Sequence, residues 1–111
     1  PIHSSAASDV YKRQYIQFLL NLDIIKNDVS KMLASYNAGP GNFSKWSKSF
    51  YKTEIDPIFM IETLPARQTR NYIKLVLTNL WIYKIRLNEK PDLLFKLASG
   101  SIPKYEFKND R

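Results

Sequence analysis

The sequence predicts an all-α protein. Apolar residues recur three and four positions apart along most of the chain, which is the spacing of an amphipathic helix. Residues that start or stop helices, such as Asp before an apolar stretch, Gly-Pro and Pro, separate these stretches from one another. No segment alternates apolar and polar residues convincingly, as a half-buried strand does. With 111 residues, of which 44% are apolar, the chain suffices for one domain or part of one.

Composition excludes several classes of function. The chain has no Cys, so disulfides, zinc fingers and Cys nucleophiles are excluded. Its one His is His3, so neither a Ser-His-Asp triad nor a His-bound metal can be built. We therefore predict neither a metal nor another cofactor. The longest apolar runs fall far short of the ~18 residues that a membrane-spanning helix needs. The 17 Lys and Arg against 10 Asp and Glu leave a net charge of +7, which favours a polyanionic partner.

Residues 1–14, PIHSSAASDVYKRQ, differ in character from the rest, because they are small and polar, then basic, without helical periodicity. We predict that they form a non-native or disordered leader, since SSAASDVYKRQ resembles a translation that recurs at the ends of assembled environmental DNA. An ordinary flexible terminus is the alternative. These residues contain no apolar segment of a secretory signal. A chain that begins Pro-Ile-His is expected to be a fragment.

From Tyr15 onward the pattern predicts a series of helices, which form a domain over residues 15–90. The apolar stripe of the first helix consists of Tyr15, Phe18, Leu19 and Leu22. The second helix begins near Asn27 or Asp28, either of which can cap it, and ends at Gly39-Pro40-Gly41. Its apolar face consists of Val29, Met32, Leu33 and Tyr36. A short third helix carries Phe43, Trp46 and Phe50.

Three more helices are predicted after these. One begins at Asp56-Pro57, where the carboxylate caps and Pro takes the first helical position, and Pro65 stops it. Its apolar residues are Ile58, Phe59 and Ile61. The longest helix runs from about Ala66 to Leu87, with a stripe of Ile73, Val76, Leu77, Leu80 and then Trp81 or Tyr83. Residues 91–111 form a tail, in which a short helix opens at Pro91-Asp92 and ends at Gly100.

Among the scattered carboxylates Glu62 stands out, because it follows an apolar run and precedes the break at Pro65. Such a carboxylate is either a capping or solvated residue, or a cleft residue whose pKa burial raises, as acid chemistry requires. The residues by themselves leave both interpretations open.

Two separate motifs resemble the soluble lytic murein transglycosylase (SLT, goose-lysozyme-like) family. Residues 33–41, LASYNAGPG, resemble its AYNAGPG segment. Residues 56–73, DPIFMIETLPARQTRNYI, are similar to its DPxxFIExIPFxETRxYV segment, with Ala66 and Gln68 in place of Phe and Glu and Leu64 in place of Ile. The order of the motifs agrees as well. The resemblance implies the C-terminal half of a lysozyme-like transglycosylase domain.

The resemblance assigns substrate-binding roles to Tyr36, Asn37, Gly39, Glu62 and Tyr72. Tyr36 and Asn37 would line the glycan cleft, Gly39 would make the turn, and Glu62 would contact sugar from the opposite wall. Tyr72 would lie near the reacting centre. Sugars need this combination of flat apolar rings and a few hydrogen-bonding groups. The alternatives are core packing for Tyr72 and a loop-stabilising role for Asn37.

The family's single catalytic Glu lies in an upstream Glu-Ser motif, which a Gly-Leu-Met-Gln motif follows, and nothing before Ala34 resembles either. The resemblance implies a parent that cleaves the β-1,4 bond between N-acetylmuramic acid and N-acetylglucosamine with formation of a 1,6-anhydro end. We expect no catalytic residue in this chain, and hence no activity of the chain alone. Peptidoglycan strands are the expected partner, in the periplasm or in association with the cell envelope.

Two other classes of function fit parts of the sequence. A non-catalytic peptidoglycan-binding or interaction module would keep the sugar cleft without the catalyst. Binding of nucleic acid would use the positive charge, but the basic residues are spread along the chain rather than gathered on a recognition helix. Peptidoglycan is itself anionic and already accounts for the charge. We therefore expect no nucleic-acid partner.

Overall fold

The computed structural model describes residues 5–49 and 55–105 of the chain. It confirms the all-α prediction, because the described residues form six helices and no strand beyond one bridge between Asp28 and Lys104. The helices are α1 (Ser5–Asn21), α2 (Val29–Ala38), α3 (Pro40–Ser47), α4 (Pro57–Thr63), α5 (Arg67–Arg86) and α6 (Asp92–Ala98). None of these helices is both long and apolar enough to cross a membrane.

The capping residues explain where the helices begin. The Asp28 carboxylate accepts a hydrogen bond from the Lys31 backbone N–H at 3.2 Å and so caps α2. Asp56 caps α4 in the same way, accepting from the Ile58 N–H at 2.8 Å, with Pro57 at the first helical position. These starts confirm the sequence predictions. Phe50, which was expected in the third helix, lies outside the described residues.

Helix α1 begins earlier than the sequence predicted. It is continuous from Ser5, ten residues ahead of Tyr15. Ala, Lys, Arg and Gln are good helix formers, and lengthening an existing helix needs no new nucleation. The side chains of residues 7–14 are exposed. The idea that the leader is non-native remains a prediction.

The core surrounds α2, which packs against α1, α3 and α5. Its fully buried side chains include Leu19, Phe43 and Ile73, from three different helices. On two helices the buried face differs from the predicted stripe. Leu20 rather than Phe18 is buried on α1, and Met60 is buried on α4. The other exposed members of predicted stripes are Tyr15, Ile58, Phe59 and Tyr83, the last being the alternative to Trp81 on α5.

Residues 101–105 of the C-terminal tail pack against the start of α2. The Val29 N–H donates to the Pro103 carbonyl oxygen at 2.9 Å, and the Tyr105 N–H donates to the Asn27 carbonyl oxygen at 2.8 Å. Pro103 is fully buried. The first backbone N–H groups of a helix lack acceptors within the helix. The Pro103 carbonyl oxygen of the tail supplies an acceptor for one of them. Residues 101–105 therefore belong to the folded unit.

Large apolar side chains are exposed along the second half of α5. They are Ile82, Tyr83, Ile85 and, just after the helix, Leu87. Isolated apolar residues on a surface are ordinary, but a contiguous set is more often a contact surface.

Candidate functional site

Three tyrosines from three helices meet at the C-terminal end of α2. The rings of Tyr36 on α2 and Tyr72 on α5 are nearly parallel, with an interplanar angle of 3° and centroids 6.5 Å apart. The ring of Tyr15 on α1 is tilted by 53° to that of Tyr36, at 5.8 Å. These separations lie in the attractive range for aromatic pairs. The two motifs that are distant in sequence therefore share one aromatic cluster.

The Tyr72 hydroxyl is held in its protonated form. Partial burial raises the pKa of Tyr72 above its usual value of 10.0, and the nearby Tyr36 raises it further. Burial disfavours the phenolate because a charge loses its solvation. At neutral pH the Tyr72 hydroxyl is protonated, as that of any tyrosine with an ordinary pKa is, and it can both donate and accept hydrogen bonds.

Asn37 is tied to α5 rather than to its own loop. Its Oδ1 accepts a hydrogen bond from the Thr69 hydroxyl at 2.8 Å. Thr69 is 2% exposed and lies three residues before Tyr72, so it is on the same side of α5. The bond fixes the Asn37 amide beside the aromatic cluster. Its Nδ2 has no hydrogen-bond partner among the described residues and is left to a ligand or to water.

Gly39 makes the turn that ends the aromatic-bearing helix. Its φ of +92° and ψ of 143° are unfavourable for residues with a Cβ. The Gly39 N–H donates to the Ser35 carbonyl oxygen at 2.8 Å, and its carbonyl oxygen accepts from the Phe43 N–H at 3.1 Å. Gly39 thus terminates α2 directly after Ala38, two residues beyond Asn37, and is also the residue before the start of α3. Its role in this structure is to shape the cluster.

Glu62 lies apart from the other four predicted residues. Its carboxylate pairs with the Lys74 ammonium at 2.8 Å, and both side chains are about half exposed. Lys74 follows Tyr72 by two residues, which places it about 200° around the helix axis. Glu62 lines a different cavity of about 320 Å³, together with Leu77 and Trp81 on α5 and with residues of α6. A sugar contact by Glu62 therefore stays a prediction.

An open groove of about 430 Å³ lies beside the aromatic cluster, along α1. Its lining residues are Ala7, Ser8, Tyr11, Lys12, Tyr15 and Tyr36. None of these described lining residues carries a carboxylate. Across residues 5–49 and 55–105, no group of three His, Asp or Glu side chains is arranged to hold a metal.

Sequence reasoning missed two members of this site. Thr69 carries no local signal, because a Thr inside a helix is unremarkable until its partner across the fold is known. Tyr15 was assigned to the apolar stripe of α1, and the spacing of that stripe does not distinguish a core residue from a groove residue.

Comparison with known proteins supports the resemblance over part of the chain. The chain is similar to soluble lytic murein transglycosylases, enzymes of the peptidoglycan-cleaving class. Two relatives, from Escherichia coli (strain K12) and Escherichia coli O157:H7, are each 36% identical to it over 61 residues. These residues are 55% of this chain and 9% of each relative. No family model and no solved structure matches the chain.

Proposed function

We propose that this chain is the C-terminal part of a lytic transglycosylase domain and that it binds the glycan strands of peptidoglycan. The proposal rests on the contact between the two motifs that resemble the transglycosylase family. They meet through the parallel rings of Tyr36 and Tyr72 and through the hydrogen bond that the Thr69 hydroxyl donates to Asn37. The similarity to the murein transglycosylases of Escherichia coli supports the same assignment.

The chemistry of the cluster suits an amino sugar. The ring of Tyr36, which lines the groove and is half-buried, offers apolar surface to the C–H side of a sugar ring. The Tyr72 hydroxyl and the free Nδ2 of Asn37 offer hydrogen bonds to hydroxyl and acetamido oxygens. The net charge of +7 attracts a strand that carries lactyl and peptide carboxylates.

Cleavage needs a carboxylic acid, which is not among the described residues of this groove. In the proposed reaction an acid/base Glu protonates the glycosidic oxygen, and the bond from that oxygen to the anomeric carbon of the muramic acid breaks, releasing N-acetylglucosamine with a free hydroxyl. The 6-hydroxyl of the muramic acid forms the new bond to the same carbon and gives its proton back to the Glu. The groove beside Tyr36 has no carboxylate among its described lining residues, and Glu62 is paired with Lys74 elsewhere. The catalytic Glu is proposed to belong to a part of the parent protein that precedes this sequence. The site of action is then the periplasm or the cell envelope, where peptidoglycan is found.

The test is binding and turnover of purified sacculi. The chain is expected to sediment with sacculi and to release no 1,6-anhydro-muropeptides that chromatography can detect. Tyr36→Ala and Tyr72→Ala should reduce the bound fraction, whereas Tyr83→Ala, at a 61% exposed position on α5, should not. Release of anhydro products, or equal binding by all three variants, would overturn the proposal.

The described lining residues of the groove, which offer Tyr, Ser and Lys side chains but no carboxylate, also suit a second candidate, a non-catalytic peptidoglycan-binding module. Reading the source DNA upstream of Tyr15 in frame separates the two. A Glu-Ser motif and a Gly-Leu-Met-Gln motif ahead of Tyr15 would support the transglycosylase. A genuine start codon close to the leader would support the binding module.

A further inference from the structure

One side of α5 carries aliphatic residues that the rest of the described chain leaves uncovered. Leu75, Ile82 and Ile85 are 60%, 44% and 57% exposed. The buried residues Ile73 and Leu77 lie two positions before and after Leu75, which places Leu75 about 160° from each of them around the helix axis. This side of α5 therefore points away from the core and is open to another molecule.

The exposed residues follow the spacing of a helix that packs lengthwise against a second helix. Leu75, Thr78, Ile82 and Ile85 are separated by three, four and three positions, and we call these four residues the α5 seam. Alternation of three and four is the spacing of contact positions in paired helices, where each side chain inserts between side chains of the other helix. A flat partner such as a lipid bilayer requires no such register, so the spacing favours a helix.

A cavity of about 320 Å³ opens beside the α5 seam, because Thr78 belongs to both. Its apolar walls include Ile58 of α4, Leu77 and Trp81 of α5, and Leu94 of α6. Protein interfaces are commonly anchored by a large apolar side chain that fills such a pocket. The surroundings of the seam therefore suit a partner that projects a bulky side chain next to its contact stripe.

The borders of the α5 seam are basic. Residues 63–88 contain five Lys and Arg and no Asp or Glu. Lys74 and Arg86 occupy positions that flank the two ends of the seam. Two copies of this chain packed antiparallel would place Lys74 of one copy beside Arg86 of the other, and the like charges would repel. The charges therefore disfavour a second copy and favour an acidic partner.

We propose that the α5 seam is the docking site for an amphipathic helix of a separate protein, whose aliphatic stripe is bordered by Asp and Glu. The partner helix lies lengthwise along α5, and one of its large apolar side chains enters the cavity beside Thr78. The seam shares no residue with the groove beside Tyr36. The inference therefore goes beyond glycan binding and does not depend on it.

The experiment is calorimetric titration of the full chain with two synthetic helical peptides of three heptads each. Both carry Leu at the contact positions, and the flanking positions are all Glu in one peptide and all Lys in the other. Like charges at these positions keep each peptide from pairing with itself. At low ionic strength the Glu peptide should bind about 5- to 30-fold more tightly than the Lys peptide, and the difference should shrink in high salt.

Substitutions within the seam test the apolar contact. Ile82→Ala and Ile85→Ala should each weaken binding of the Glu peptide about 3- to 10-fold, the range for losing part of a buried aliphatic side chain. Phe18→Ala, at a 53% exposed position on α1, is the matched control and should leave this binding unchanged. Circular dichroism checks that each variant is folded.

A charge reversal tests the borders. Arg86→Glu is chosen because Lys74 is already paired with Glu62. It should weaken binding of the Glu peptide and strengthen binding of the Lys peptide, a reversal that a loss of folding cannot produce. Lys45→Glu, at an exposed position on α3, controls for the change in net charge and should not reverse the preference.

Four results would overturn the inference. They are equal affinity for the two peptides, no binding of either peptide, self-association of the chain in sedimentation that Ile82→Ala abolishes, and binding to phosphatidylglycerol vesicles that Ile82→Ala abolishes. The third result would make a second copy the occupant of the seam, and the fourth would make it a membrane. Sacculus binding tests the proposed function separately, because Ile82→Ala should leave it unchanged while Tyr36→Ala reduces it.

Discussion

Replacing Thr69 by Val removes the one hydrogen bond that ties Asn37 to α5, with little change of shape. Thr69 is 2% exposed, so the new methyl group occupies the space of the hydroxyl and no water replaces the lost donor from that side. Asn37 Oδ1 is then left without its partner. An unpaired buried polar group costs about 1–3 kcal/mol, and Asn37 is only partly buried. We therefore expect a loss near the lower end, about 1–2 kcal/mol.

Chemical unfolding in urea, followed by far-ultraviolet circular dichroism, measures this loss directly. Each kcal/mol corresponds to a fall of about 4–8 °C in the melting temperature of a domain of about this size. Thr63→Val is the matched control, because the Thr63 hydroxyl bonds only to the Met60 carbonyl oxygen within the same turn of α4, near the surface. That control should change the free energy of unfolding by at most about 0.5 kcal/mol.

The same substitution should also lower binding to sacculi, since the Asn37 amide loses the bond that fixes it beside Tyr36 and Tyr72. Equal stability of the Thr69→Val and Thr63→Val variants would refute the reasoning about the bond. Normal sacculus binding by a folded, destabilised Thr69→Val variant would refute the role given to Asn37.

Three further perturbations test the fold around the site. Ile73→Ala, at a fully buried position of α5, should lower the free energy of unfolding in urea by about 2–5 kcal/mol. Leu75→Ala, at a 60% exposed position, should lower it by about 0.5 kcal/mol or less. Similar losses in the two variants would contradict the burial pattern. Gly39→Ala should lower the free energy of unfolding by about 1–3 kcal/mol, because the φ of Gly39 is +92°. Gly41→Ala, inside α3 with free space around it, should leave stability unchanged or raise it by up to about 1 kcal/mol. A Gly39→Ala variant as stable as the parent chain would count against the strained turn. Burial raises the pKa of the Asp28 carboxyl group above its ordinary value of 3.8. The carboxylate of Asp28 therefore binds a proton more readily in the folded state than in the unfolded state. The contribution of Asp28 to stability is therefore present at acid pH and is lost as pH rises through its folded pKa. Asp28→Asn, which keeps a capping side chain, should gain stability relative to the parent chain between pH 4 and pH 7, and a relative loss over that interval would contradict the assigned direction.

Helix number and most helix ends followed from the sequence. Asp28, Gly39 and Asp56 act on backbone groups within a few residues of themselves, so the local order of residues is sufficient to locate them. The start of α1 was not predicted, since ordinary helix formers without an apolar stripe give no positional signal.

The choice of buried face needed the tertiary structure. On α1 and α4, consecutive apolar residues allow more than one stripe of the same period, and packing against α2 and α5 selected Leu20 and Met60 instead of Phe18 and Phe59. Periodicity gives the width of an apolar face, whereas the neighbouring helices fix its direction.

The site divides in the same way. The sequence by itself determined that Tyr36 and Asn37 would stand just before a sharp turn at Gly39, and the resemblance added Tyr72. Only the tertiary structure decided that Thr69 fixes Asn37 and that Tyr15 belongs to the aromatic cluster. It also decided that Glu62 pairs with Lys74 on the other side of α5. The physical reason is the distance along the chain over which each interaction acts. Caps and turns act through neighbouring backbone groups, whereas a hydrogen bond across 32 positions or a contact between three helices exists only once the helices have packed.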